Sequence, residues 1–248
     1  MRRASLILTL LLLSPAPDCV AQEAAHVYEA YYKVKTGDLP EWNSYYFQYA
    51  IPVLEALRSE GVIEGWTQWQ HMTGGEYNIR FAIRAFDWAA YDTFWAEYLA
   101  RTAAASSEAE TERIMRMIQG HYDEVWDIGH ADVAETGESA YLYASTYQYN
   151  FADMQEWNRI WMDVVGPLIT EAKAEGLVDG WVILNHNTGG THNFKVLYMF
   201  DEWDHIDDFF ERVQGSMAEA NPEDAQKFGQ LVVSHDDIIW VPTPRGGM

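Results

Sequence analysis

The histidines of this sequence are the side chains best suited to proton transfer near neutral pH, because imidazole titrates there. Two of them sit in one repeated motif. His71-Met-Thr-Gly-Gly75 and His186-Asn-Thr-Gly-Gly190 share a pattern at an offset of 115 residues. His71 and His186 could act as general bases or orient a ligand. Beside a Gly-Gly turn, the weightier reading is that each fixes a hairpin by bonding to Asn78 or to the turn backbone. Two further histidines form His-x-Asp pairs, His121 with Asp123 and His235 with Asp237. Positions i and i+2 of a strand point the same way, so imidazole and carboxylate can lie side by side and raise basicity or hold a metal. Two ligands fall short of the three or four protein ligands of a zinc site, which favours an edge pair that helps its strand begin. No Cys-x-x-Cys-His, phosphate loop, nucleophile elbow, Rossmann glycine pattern or zinc-protease motif is present.

The elements that must position these residues also come in pairs. At the same offset Gly61 to Trp66 meets Gly176 to Trp181, Glu41-Trp-Asn43 meets Glu156-Trp-Asn158, and Pro52 meets Pro167. Near the end the offset slips to 114, where His121 meets His235. The chain is a duplication. In each copy a Tyr- and Val-rich strand (His26 to Lys35) precedes a helix from Asp38, which Pro52 should kink and Gly61 should end. Val62 to Met72 and Glu76 to Phe86 then read as strands around Thr73-Gly-Gly75. A second helix starts near Trp88 and continues to Gln119, and His121 to Ile128 is the last strand. The order is βαββαβ.

Strand alternation sorts the faces. Across the hairpin His71 lies opposite Asn78 and Trp69 opposite Arg80; in the second copy His186 faces Asn193 and Leu184 faces Lys195. The Ile79, Phe81, Ile83 side goes to the helices. The side carrying Arg80, Asn78, Lys195 and Asn193 then lines the space between two sheets. One sheet with helices on one face leaves its other face bare, and two copies can cover each other. The expected class is α+β, with two tandem ferredoxin-like βαββαβ units packed sheet to sheet as a pseudo-dimeric α/β barrel.

On this element order, the Trp42…Pro52-Val-Leu…Gly61 helix and the Gly65-Trp66…Thr73-Gly-Gly75 hairpin, the chain resembles the dimeric α/β barrel superfamily. That group includes NIPSNAP-like, EthD-like and antibiotic-biosynthesis-monooxygenase-like domains. The resemblance covers the whole mature chain and implies a tandem fused pair. The superfamily holds cofactor-free oxygenases, small isomerases, haem enzymes and many members without assigned activity, so it implies a fold rather than one reaction.

Arg2-Arg3, the apolar run Leu6 to Leu13 and Cys19-Val-Ala21 read as an export signal, which predicts a periplasmic or secreted protein. Cleavage after Ala21 removes the only cysteine. The expected organisation is residues 1–21 signal, 22–128 first unit, 129–138 linker, 139–242 second unit and 243–248 tail. With 38 acidic against 16 basic residues the net charge is −22, which disfavours nucleic acid and anionic membrane as partners. The functional expectation is an exported protein that binds a small apolar or aromatic molecule between its sheets. Asn78, Asn193, Arg80, Lys195, Trp69, His121, His235, Asp123 and Asp237 are the candidate contacts. The alternatives are a cofactor-free oxygenase or isomerase using His71 or His186, and a structural or interaction protein whose interior is filled. No cofactor is expected, with non-covalent haem or a metal ion left open; the assembly is a pseudo-dimeric monomer or a higher oligomer.

Overall fold

The computed structural model describes residues 26–133 and 139–243. The expected export signal, the second half of the expected linker and the end of the tail lie outside the described residues. The first half contains β1 (His26–Val34), α1 (Leu39–Tyr45), α2 (Ile51–Ser59), β2 (Gly65–Thr73), β3 (Ile79–Ala85), α3 (Trp88–Ala105), α4 (Glu108–Met117) and β4 (Ile118–Asp132). The second repeats it as β5 (Tyr141–Tyr149), α5 (Met154–Ile160), α6 (Gly166–Ala174), β6 (Gly180–Thr188), β7 (Phe194–Phe200), α7 (Asp204–Ala220), α8 (Pro222–Leu231) and β8 (Val232–Pro242).

Each half forms an antiparallel sheet, ordered β4-β1-β3-β2 and β8-β5-β7-β6. A four-stranded sheet has two edges of unpaired N–H and C=O groups as well as a bare face. Pairing β2 with β8 and β4 with β6 removes all four edges and closes eight strands into one barrel. The expected barrel is present, and its two sheets are joined edge to edge by backbone hydrogen bonds, a pairing that the expectation of sheets packed face to face did not include. β4 must be long to pair with both β1 and β6. Gly129 to Asp132, expected as linker, therefore belong to that strand, with His130 opposite Ile183 and Asp132 opposite Trp181.

The proline signal works differently from a simple kink. Pro52 has no N–H to offer the carbonyl one turn back, and the helix widens into a π turn over Tyr46–Ala50 before α2 resumes. Pro167 does the same after Trp161–Val165. The second helix does not run unbroken to Gln119. Ser107 Oγ accepts from Glu110 N (3.2 Å) while the Glu110 carboxylate accepts from Ser107 N (2.9 Å), a capping box that starts α4 anew.

Gly74 and Gly75 have φ of +86° and +61°, and Gly189 and Gly190 have +85° and +65°, as tight turns require. The first glycine of each turn has a second reason to lack a side chain. A Cβ on Gly74 would collide with the Asp237 carbonyl of β8, and one on Gly189 with the Asp123 carbonyl of β4. Each hairpin tip thus lies against the last strand of the other half.

Apolar side chains fill two kinds of space. Phe81 and Ile83 pack with Leu54 and Phe94 under the helices of the first half, as Phe194, Val196 and Tyr198 do in the second. Trp126, Trp240, Leu184 and Leu197 point into the barrel. Gly189→Ala should destabilise the protein by about 1–3 kcal/mol or more in urea unfolding, because the turn strain and the collision act together. Gly215→Ala, in the middle of α7 with open space around it, should stabilise by about 0.5–1 kcal/mol. Equal effects of the two changes would contradict the docked hairpin.

Candidate functional site

Inside the barrel, Glu29 of β1 stands directly opposite Glu124 of β4. Two carboxylates so placed repel each other unless cations intervene. Lys195 of β7 bridges them: its Nζ donates to Glu29 Oε2 (2.5 Å), to Glu124 Oε2 (2.8 Å) and to the Tyr31 hydroxyl (2.9 Å). Arg80 of β3 donates to the other Glu29 oxygen, and Tyr31 donates its hydroxyl to Glu29 at 2.5 Å. Trp126 Nε1 donates to Glu124 (3.1 Å), and its ring lies 4.2 Å from the Lys195 ammonium. Exposure is 0 % at Glu29, 1 % at Lys195 and 2 % at Arg80. Burial alone would push Glu29 up, but the Arg80 and Lys195 charges overcome it and hold the carboxyl at about 2. Burial would likewise lower Lys195 and Arg80, and the facing carboxylates hold both above their ordinary values.

Arg80, Lys195 and Trp69 are therefore inside the barrel, as the alternation predicts, with Trp69 opposite Arg80. Sequence reasoning passed over Glu29 and Glu124. Their signal was available, since each alternates with apolar or aromatic residues on one side of its strand, Val27 and Tyr31 around Glu29 and Tyr122 and Trp126 around Glu124. Stacked Tyr31 and Tyr122 (4.6 Å between ring centres), with Tyr77 and Trp240 beside Tyr31, fill one end of the interior. A cavity of about 360 Å³ remains at the opposite mouth. The expected open space between two sheets is thus mostly occupied by side chains.

The other candidates lie elsewhere. Asn78 accepts from Val34 N (2.9 Å) and donates to Val34 O (2.6 Å), clamping the end of β1; Asn193 makes the same pair with Tyr149 on β5. His71 and His186 hook back onto the Gly74 and Gly189 carbonyls through Nε2. A carbonyl only accepts, so Nε2 carries the proton in both rings. Each ring meets an interior tryptophan edge-on, Trp240 and Trp126 respectively. This placement matches the hairpin-fixing reading of the motif.

His121 and Asp123 lie on the helix side of β4. His121 Nε2 is 2.8 Å from Asp123 Oδ1, its ring stacks on Tyr32 at 4.6 Å, and Asp123 accepts from the Tyr28 hydroxyl. His235 and Asp237 repeat this at 3.0 Å, stacked on Tyr147 at 4.4 Å, with Ser145 Oγ donating to Asp237 at 2.7 Å. The surroundings of the two pairs differ. In the first half a cavity of about 620 Å³ opens between sheet and helices, with His121 at its edge and Tyr46, Phe81, Trp95 and Tyr98 in its walls. In the second half Trp161, Phe194 and Phe228 pack there, where the first half has Tyr46, Ile79 and Ile114. Among the described residues the His-Asp pair occurs in both halves, and the cavity opens beside the first while aromatic rings pack beside the second. The Tyr46 hydroxyl has no partner among the described residues, and burial first, then Tyr98 and Tyr32, pushes it well above the usual phenol range.

No family model matches the chain, and no curated protein does. Solved structures do. A candidate monooxygenase of Fusobacterium nucleatum superposes with a TM-score of 0.64 at 9 % identity, over 91 % of this chain and 96 % of that one. A candidate monooxygenase of Lactobacillus acidophilus gives 0.59 at 12 %, over 91 % and 99 %. A chlorite dismutase variant from Candidatus Nitrospira defluvii gives 0.54 at 10 %, over 90 % and 94 %. The chain has the dimeric α/β barrel fold. In this dimeric α/β barrel one polypeptide supplies both halves, and each of the three solved chains aligns over nearly its whole length. The helix-side cavity is a poor match for haem. Its one histidine, His121, has its ring face on Tyr32 and its Nε2 at Asp123, and no Lys or Arg among the described residues lines the cavity to meet propionates. Among the described residues no group of three His, Cys, Asp or Glu side chains is placed to hold a metal ion.

The interior cluster has a pH signature. Glu29 has a folded value of about 2 against an ordinary 4.5, so its stabilisation is complete above 4.5 and is lost as pH falls toward 2. Glu29→Gln should cost about 3–5 kcal/mol at neutral pH, since it leaves a buried cation unmatched. The gap to the parent protein in urea unfolding should narrow steadily between pH 4.5 and 2; a constant gap would show that Glu29 is not ionised in the fold.

Proposed function

We propose that this protein binds a small, flat, largely apolar molecule in the helix-side cavity of its first half. One observation carries this reading. Two copies of one fold have diverged so that aromatic side chains close the space in one and leave about 620 Å³ in the other. Such a volume lies within the range of about 300–1,000 Å³ common to small-molecule sites, and aromatic walls with few polar points suit a planar ligand. Tyr46 offers one such point, Gln68 another. The location differs from the one expected between the sheets, because the ion cluster and stacked tyrosines occupy most of that space. We read the barrel as two ferredoxin-like units fused in tandem, and the export signal as placing it outside the cytoplasm.

A second reading makes the same cavity an active site. His121 borders it, oriented by Asp123, and could take a proton from a hydroxyl or an acidic C–H of the bound molecule. Solved proteins of this fold named as candidate monooxygenases, and one named anthrone oxidase-like, lend support to it.

Copying the closed half into the open one tests the first reading. Ile79→Phe with Ile114→Phe should keep the circular dichroism spectrum and weaken binding of 1-naphthol at least tenfold in calorimetry; unchanged affinity would sink it. For the second, His121→Ala should abolish dioxygen consumption with a phenolic panel while leaving 1-naphthol binding intact. His235→Ala, beside the closed half, should change neither. Equal behaviour of the two variants would leave binding without catalysis.

A further inference from the structure

We propose that the open mouth of the barrel is a second binding site, for a neutral aliphatic molecule ending in a carbonyl group. It is separate from the helix-side cavity and does not depend on that reading. The mouth holds about 360 Å³, at the small end of the usual range. Its second-half wall is mostly aliphatic, with Val182, Leu184, Leu197 and Met199, and carries Asp179 and Ser139 as polar members, the carboxylate adding to the repulsion of an anion. The first half contributes Trp69 and, beside it, Arg80. A short hydrocarbon chain fits such a wall better than a flat ring system.

Arg80 decides the head group. It is 2 % exposed, and its Nη2 is committed to Glu29. Its Nε has no acceptor among the described residues. A buried donor without an acceptor is costly, and an oxygen brought in through the mouth would remove that cost. The oxygen belongs to a neutral group for a reason of charge. Arg80 and Lys195 already balance Glu29 and Glu124, so a carboxylate would place an unmatched negative charge next to Glu29 in a dry interior. Among the described residues the rim offers no spare cation, since Arg84 is paired with Glu64. The net charge of −22 also repels anions from a distance. A carbonyl oxygen accepts a hydrogen bond and brings no charge.

The test titrates the full chain with 2-heptanone and with heptanoate by calorimetry at neutral pH. Saturable binding of the ketone is expected, with heptanoate at least tenfold weaker. The ¹³C resonance of the ketone carbonyl should move downfield on binding, as a hydrogen bond from a guanidinium requires. Met199→Trp, at the half-buried rim, should plug the mouth and weaken the ketone at least tenfold. Should that variant fail to fold, Val182→Phe serves the same purpose. Ile79→Phe with Ile114→Phe should leave ketone binding unchanged. Absence of saturable binding, heptanoate as tight as the ketone, or an unshifted carbonyl resonance would each overturn the proposal. So would loss of the ketone in the helix-cavity variant instead of the mouth variant.

Discussion

Two buried carboxylates on neighbouring strands set the condition that the rest of the barrel meets. Glu29 and Glu124 both belong to the first half, and so does only one of the cations that face them, Arg80. Alone, that half would hold an unmatched negative charge on its inner face. Lys195 comes from the second half and contacts both carboxylates at once. An isolated buried ion is among the most expensive arrangements in a protein, while a matched set close to neutrality costs far less. Barrel closure thus has an electrostatic partner to its backbone pairing: the strand register that joins the edges also brings the fourth charge into place. A hydrophobic filling of equal volume could be as stable, so the cluster is best seen as specifying register.

The two halves kept what closure needs and changed what it does not. The His-x-Thr-Gly-Gly hairpin, the asparagine clamp on β1 and β5, and the proline-induced π turn are present twice with nearly the same geometry. Each serves backbone geometry, and each half presents the same backbone problem to the other. Side chains under the helices are free of that symmetry. There, Trp161, Phe194 and Phe228 stand in the packed half where the open half has Tyr46, Ile79 and Ile114. The interior diverged too: Glu29 and Glu124 have Ala144 and Ile238 as counterparts, which concentrates the acids on one side of the pseudo-axis.

Much of the fold was legible because backbone rules are local. Gly-Gly turns, strand alternation and a repeated offset predicted the strand pairing within each half, down to His71 opposite Asn78 and Trp69 opposite Arg80. The helix break at Ser107 was also written locally, in Ser107 and Glu110, and was missed because the apolar pattern runs on past it. The candidate site was less legible. His71 and His186 stood out by repetition, yet a feature repeated in both halves here answers a need common to both. His121 owes its interest to a cavity whose walls come from Trp42, Trp95 and Ile114, far apart in the chain.

By itself the amino-acid sequence determined the duplication, through a repeat at an offset of 115 residues, together with the βαββαβ order and the faces of the hairpin strands, which depend on spacing of one to four residues. Only the tertiary structure decided that the sheets join at their edges, that Lys195 lies between two glutamates, and that one half is open where the other is packed. Those outcomes depend on volumes and charges contributed by strands far apart in the chain, Lys195 standing 71 residues from Glu124 and 166 from Glu29, and no local pattern encodes how such parts add up.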